Sequence, residues 1–181
     1  SPLDLLDELQ AIETQRGRVR SVRWGPRTLD LDLLMYGDKV IDHPRLQLPH
    51  PACWYRRFVL DPWVEIGADV EHPVKRLTIR ELRDRLLVKP ITICLVGGKL
   101  NLRERLLEEM SKEFPAIRWS AQIDNSKSES TLTIGLGADD MKISDYKRLR
   151  DTLAASWLEL GHPPTSEKEA LREIVKSAMG T

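Results

Sequence analysis

Five arginines, Arg16, Arg18, Arg20, Arg23 and Arg27, fall within twelve residues that contain no acid. Guanidinium groups stay charged at any relevant pH and bind phosphate oxygens bidentately, so the segment reads either as a solvated basic loop or as a phosphate clamp. Directly after it, Asp30 and Asp32 stand two apart in Thr-Leu-Asp-Leu-Asp-Leu-Leu-Met-Tyr, Thr28 to Tyr36. In a strand such residues share one face, with Cα atoms roughly 6–7 Å apart. That pair is either a solvent-facing edge or a seat for one or two Mg²⁺ between carboxylates and a polyphosphate. Arginines for phosphate oxygens beside carboxylates for Mg²⁺ are what phosphoryl transfer from a nucleotide needs. Trp24 within the arginine segment is either a core residue or a cover for a ring. His50, held between Pro49 and Pro51, is either a structural histidine or a rigid group that approaches a phosphate, and Arg56, Arg57 and Phe58 add charge and an aromatic nearby.

These residues need elements to carry them. Leu3, Leu6, Leu9 and Ile12 recur at helical spacing, with Asp4, Asp7, Glu8 and Glu13 mostly on other faces, which predicts an amphipathic helix over 3–15 ended by Gly17. Residues 28–36 alternate as a strand, Gly37-Asp38 is a turn, 39–41 a short return strand, and 42–52, with three prolines, an ordered loop. Helices are expected over 55–66, interrupted by Pro62, and over 78–87. After Lys89-Pro90 the pattern restarts: a buried-type strand at 91–96, a turn at Gly97-Gly98, a helix over 101–114, and strands at 117–123 and 131–136. A long helix over 142–160 and a last helix over 166–179 capped by Ser166 complete the chain.

The expected class is α+β: a ferredoxin-like antiparallel sheet with packed helices, plus a second βαββα unit of similar topology. The expected divisions are 1–89, 90–161 and a linker with a C-terminal helix, 162–181. A lone strand at 29–36 cannot satisfy its backbone, so the two halves are expected to pack together through a shared sheet or a buried face.

With 181 residues, 41% hydrophobic and 31% charged, the chain has the profile of a soluble globular protein. Twenty-eight basic against 28 acidic residues give no electrostatic drive for wholesale nucleic-acid binding. No apolar run approaches the ~18 residues of a membrane span, and no signal-peptide pattern opens the chain. Two cysteines, Cys53 and Cys94, are too few for a disulfide framework or a four-cysteine zinc site, so free thiols in a reducing cytoplasm are expected. Ser1 is a good helix N-cap and Pro2 a good first helical residue, so the chain reads as a cut or processed one beginning at the edge of an element.

The run Gly17-Arg18-Val19-Arg20, Arg23-Trp24-Gly25-Pro26-Arg27-Thr28-Leu29-Asp30-Leu31-Asp32-Leu33-Leu34, Gly37-Asp38, Leu48-Pro49-His50-Pro51, Arg56 and Phe58-Val59-Leu60 resembles the 6-hydroxymethyl-7,8-dihydropterin pyrophosphokinases of folate biosynthesis. The resemblance covers residues 1 to about 89, the second half of that family's domain. It implies transfer of pyrophosphate from ATP to the pterin's hydroxymethyl oxygen, with AMP as the other product. It also implies that Asp30 and Asp32 ligate two Mg²⁺ and that Arg18, Arg20 and Arg27 clamp ATP phosphates on a catalytic loop that Trp24 closes. The same resemblance has His50 and Arg56 contact nucleotide phosphates and Phe58 stack on the pterin. The arginine loop is expected to be mobile without ligand and ordered by phosphate. The family's opening motifs, Tyr-Glu-Thr-x-Pro and Phe-x-Asn, are absent, so a source for much of the pterin pocket is missing from this sequence, and an upstream half of the same domain is the expected partner. The rival readings are a non-catalytic or regulatory remnant of the fold and another Mg-nucleotide-dependent transferase. Gly98-Lys99 lacks the G-x-x-x-x-G-K-[ST] spacing of a phosphate loop, and residues 90–161 read as plain ferredoxin-like packing.

Overall fold

The computed structural model describes residues 1–16, 29–121, 130–160 and 166–181, and the chain divides into two compact units, Ser1–Cys53 and Trp54–Thr181. Arg18, Arg20, Arg23, Trp24 and Arg27, with the expected behaviour of their loop, lie outside the described residues.

The first unit opens with helix α1, Pro2–Gln15. Ser1 and Asp4 form a reciprocal capping box at its start, satisfying two of the amide donors that a helix N-terminus leaves open. Residues 29–36 join no ladder among the described residues, so the strand expected there is not formed. The exposure pattern of a strand survives: Asp30 and Asp32 are exposed while Leu29, Leu31 and Leu33 between and beside them are half-buried. The strands of this unit come instead from the stretch expected to be loop. β1, Ile41–His43, pairs antiparallel with β2, Leu46–Leu48, with His43 opposite Leu46 across the tight Pro44-Arg45 connection. Leu46 and Leu48 are buried and Gln47 exposed, the period-two alternation of a sheet with one covered face.

The second unit begins with two helices, α2, Arg57–Gly67, and α3, Ile79–Leu87. α2 runs straight through Pro62. α3 is capped by Thr78 and Glu81, and buries Ile79, Leu82 and Leu86 along one face. The remaining elements are β3, Thr92–Val96; α4, Leu100–Glu113; β4, Arg118–Ser120; β5, Leu132–Gly135; α5, Ile143–Thr152; β6, Trp157–Glu159; and α6, Glu167–Met179. The four strands form one sheet in the order β4-β3-β5-β6, and every pairing is parallel.

Mixed helix and sheet is the class expected, but the antiparallel ferredoxin-like arrangement expected for 90–161 is not found. β4 and β5 do not form a hairpin; they flank β3 on opposite sides. The reason is visible in burial. Ile93, Cys94, Leu95 and Val96 are all buried, and so are Leu132, Thr133, Ile134 and Gly135. Strands covered on both faces by crossover helices read as continuous apolar runs rather than alternations, and parallel sheets require that cover. Leu106 and Met110 of α4 and Leu171, Val175 and Ala178 of α6 contribute buried apolar side chains to this unit. The long helix expected over 142–160 stops at Thr152, and the chain turns through 153–156 to supply β6, whose Trp157 and Leu158 pair with Thr133 and Ile134. No sheet is shared between 1–89 and 90–181 among the described residues. A packed face does join segments of the two stretches, for α2 lies against α6 inside the second unit.

The C-terminal ends of β3 and β5 approach closely. Gly98 N–H donates to Gly137 O at 2.7 Å, and Gly97, at φ 72°, would place a Cβ 1.9 Å from that same oxygen. Only a residue without a side chain fits there.

Candidate functional site

In the first unit the carboxylate pair is held by a residue that the apolar periodicity hides. Glu13 is 2% exposed, and its Oε1 accepts the Leu31 N–H at 2.9 Å. That bond pins the middle of the Asp30-Leu31-Asp32 segment to α1 and leaves both flanking carboxylates at the surface. A buried carboxylate costs several kcal/mol unless it is hydrogen-bonded, so its presence marks a specified contact. Sequence reasoning placed Glu13 among the outward-facing acids. The available signal was its position one residue after Ile12, at the helix end nearest the carboxylate segment.

His50 is fixed from three directions. Its N–H donates to Leu34 O at 2.8 Å, its carbonyl accepts from Cys53 N–H at 3.0 Å, and its Nδ1 accepts from Ala52 N–H at 3.1 Å. A neutral imidazole that accepts at Nδ1 carries its proton on Nε2, a donor suited to a phosphate oxygen. Asp32 and His50 line one cavity of about 870 Å³, together with Leu6, Leu31 and Arg45. Arg45, which sequence reasoning did not single out, forms an ion pair with Asp7 of α1 at this cavity. Asp30 is exposed on the same segment but is not among the lining residues.

Among the described residues no cluster of three or more His, Cys, Asp or Glu could hold a metal ion. Two hard carboxylates fit Mg²⁺ nonetheless, because that ion is usually held by one or two carboxylates with substrate phosphates and water completing its shell. The exposed Asp30 and Asp32 supply such a donor set.

Arg56 and Phe58 belong to the second unit. Arg56 is the N-cap residue of α2, and its guanidinium carbon lies 5.7 Å from the centre of the Phe58 ring. Phe58 is 61% exposed, an aromatic surface open to a planar ligand. Trp54 and Tyr55, immediately before, are buried and meet edge to face. The structure therefore brings Asp32 and His50 to one cavity and Arg56 and Phe58 to one helix start. Cys53 and Cys94 are buried and form no disulfide, and burial raises the Cys94 thiol above its usual range. No helix of the described residues is long and apolar enough to cross a membrane.

Residues 1–68 match the sequence profile of the 7,8-dihydro-6-hydroxymethylpterin-pyrophosphokinase (HPPK) family, a stretch that spans Ser1–Cys53 and α2. Three proteins named 2-amino-4-hydroxy-6-hydroxymethyldihydropteridine pyrophosphokinase are similar to part of the chain. The Pseudomonas aeruginosa protein is 55% identical over 73 residues, 40% of this chain and 45% of its own length. The Haemophilus influenzae protein is 46% identical over 92 residues, covering 49% and 58% of the two chains. The Synechocystis protein is 49% identical over 104 residues, covering 55% and 53%. The chain thus spans about half the length of the curated relatives it matches.

Proposed function

We propose that this chain takes part in transfer of pyrophosphate from ATP to 6-hydroxymethyl-7,8-dihydropterin, giving AMP, a step of folate biosynthesis. The observation that carries this reading is the cavity shared by Asp32 and His50 within the segment that matches the pyrophosphokinase profile. The pterin's hydroxymethyl oxygen attacks the β-phosphorus of ATP and loses its proton. The bond from that phosphorus to the α,β-bridging oxygen breaks, and AMP leaves. Such an in-line displacement asks the protein mainly for alignment and charge stabilisation.

In this reading Asp30 and Asp32 hold two Mg²⁺, which when bound neutralise charge on the phosphates. Glu13 keeps that carboxylate segment in place. His50 donates from Nε2 to a phosphate oxygen, and Arg56 binds nucleotide phosphate as a fixed cation. Arg18, Arg20 and Arg27 clamp the triphosphate, Trp24 covers the site, and Phe58 stacks on the pterin ring. The ATP and Mg²⁺ functions are assigned to residues 1–89, and the setting is the cytoplasm. The test is AMP production from ATP and hydroxymethyl-dihydropterin, run on this chain and on one extended upstream of Ser1. AMP formation that requires both substrates supports the reading; ATP consumption that ignores the pterin, or none with either chain, overturns it.

A further inference from the structure

The segment 54–58 carries Arg56 and Phe58, and two side chains, Lys75 against Trp54 and Arg57 within the segment, tie it to the α/β part of the second unit. The first is Lys75. Its ammonium lies 3.8 Å from the centre of the Trp54 ring and donates to Ala154 O at 2.9 Å and Trp157 O at 2.7 Å. Those carbonyls belong to the turn before β6 and to its first residue. An ammonium that meets two carbonyls and an indole face has part of its charge solvated by the protein. The second is Arg57, whose Nη1 donates to Met179 O at 2.9 Å, the last carbonyl of α6, and whose Nη2 pairs with Asp61 at 2.8 Å. A cation at a helix C-terminus satisfies an orphan carbonyl and meets the negative end of the helix dipole. Gly180 ends α6 in the left-handed region at φ 80°, and a Cβ there would stand 3.1 Å from Arg57 Nη1. Arg57 is therefore seated on the backbone of the helix end.

We propose that Lys75 and Arg57 are positioning residues, through which residues 154–157 and 179–180 hold segment 54–58 and so set the geometry of Arg56 and Phe58. What the proposal says of ligands rests on the pyrophosphokinase reading. It gives residues 90–181 a role: they are the rigid body against which a short binding segment is aligned. Arg56 and Phe58 sit at a helix start, where Val59 N–H and Leu60 N–H donate to Arg56 O. The external ties add to these bonds.

The experiment uses the full chain as wild type, Arg57→Ala, Arg57→Lys and Lys75→Met. Amide hydrogen exchange is followed at residues 54–60 and in β3, and affinity for 6-hydroxymethylpterin with Mg-ATP present is measured by fluorescence titration. Arg57→Ala and Lys75→Met should speed exchange at 54–60 about tenfold and leave β3 unchanged, because local opening is separable from global unfolding. Pterin affinity should fall by about tenfold with them, as misplacement of a binding group by a fraction of an ångström suffices for that. Arg57→Lys, which keeps a cationic donor, should recover much of both. Unchanged exchange at 54–60 in both variants overturns the brace. Faster exchange throughout, β3 included, with pterin affinity kept means that the two residues serve stability alone, and also overturns it. Local exchange that rises as expected in a chain whose wild type binds neither pterin nor ATP overturns the pyrophosphokinase reading and leaves the brace standing.

Discussion

The first unit and the sheet of the second solve opposite problems. In Ser1–Cys53 the residues proposed for chemistry, Asp30, Asp32 and His50, sit outside any ladder among the described residues, tied by bonds such as Leu31 N–H to Glu13 and His50 N–H to Leu34 O. In the parallel sheet, β3 and β5 present four consecutive buried positions each, and the side chains there have no evident chemistry to do. Exposed carboxylates need a surface with few covering elements, whereas a parallel sheet needs both faces covered. The difference teaches where damage should fall: substitutions in the first region should change activity more than stability, and those in the second the reverse.

The largest effect expected is from Asp32→Ala. On the proposed reading it removes one of two carboxylates for Mg²⁺ at the cavity, and AMP formation should fall by about a thousandfold, comparable to losing a main electrostatic stabiliser of a transition state. Its melting temperature should stay close to wild type, because Asp32 is exposed. Titration calorimetry should show weakened Mg-ATP binding. An active Asp32→Ala would remove the functional half of the comparison.

The complementary break is Ile134→Ala. Ile134 is fully buried in β5 between Leu95 and Leu158 on the flanking strands. Truncation should cost about 2–5 kcal/mol through lost burial and the cavity left behind. Chemical denaturation should show the loss, with Mg-ATP affinity of the remaining folded protein unchanged.

How far each region could be read beforehand follows from the same contrast. Chemistry-bearing residues announce themselves by type, so Asp30, Asp32, His50, Arg56 and Phe58 were identifiable one by one. Arg18, Arg20, Trp24 and Arg27 were identified in the same way, and they lie outside the described residues. Glu13 was not identifiable as a buried contact, because an acid on a polar helix face looks solvated until its tertiary partner is known. Helices α1, α3 and α6 were legible from local signals, the helical spacing of apolar residues and the caps Ser1 and Ser166, and the structure adds reciprocal capping boxes at Ser1-Asp4, Thr78-Glu81 and Ser166-Glu169. The sheet was not, since strand order depends on pairings far apart in sequence. The stretches 117–123 and 131–136 look like hairpin partners by proximity, yet β3, further upstream, lies between β4 and β5.

A sharper probe of the second unit is pH. His72 is 3% exposed, and its Nδ1 accepts from Val74 N–H at 3.3 Å and Lys75 N–H at 3.1 Å. Burial, with a smaller contribution from the Lys75 charge, lowers its pKa from 6.5 to about 4. The folded state therefore binds fewer protons than the unfolded state between those values. Stability supplied by the neutral ring is present in full above pH 6.5, declines as pH falls, and is gone below pH 4. The contribution is about 3 kcal/mol at most. Denaturation between pH 7 and 4 should show this slope, and His72→Gln should flatten it. An unchanged slope in His72→Gln would assign the acid sensitivity to other groups.

The smallest effect on stability, and the most discriminating, belongs to Glu13. In Glu13→Gln a side-chain oxygen still accepts the Leu31 N–H but the charge is gone. In Glu13→Ala the amide loses that acceptor, at a cost of about 1–3 kcal/mol. If Glu13 serves only to satisfy buried backbone, Gln should restore stability, and Mg-ATP affinity should be unchanged in both variants. If it also sets the position of the carboxylate pair, Ala should weaken Mg-ATP binding by more than its loss of stability accounts for, while Gln recovers binding because the hydrogen bond, not the charge, defines where Leu31 sits. A Glu13→Ala protein that is less stable yet binds Mg-ATP as wild type would show that the carboxylates find their geometry without α1. The contrast between a thinly held chemical segment and a heavily packed sheet would then lose its main support.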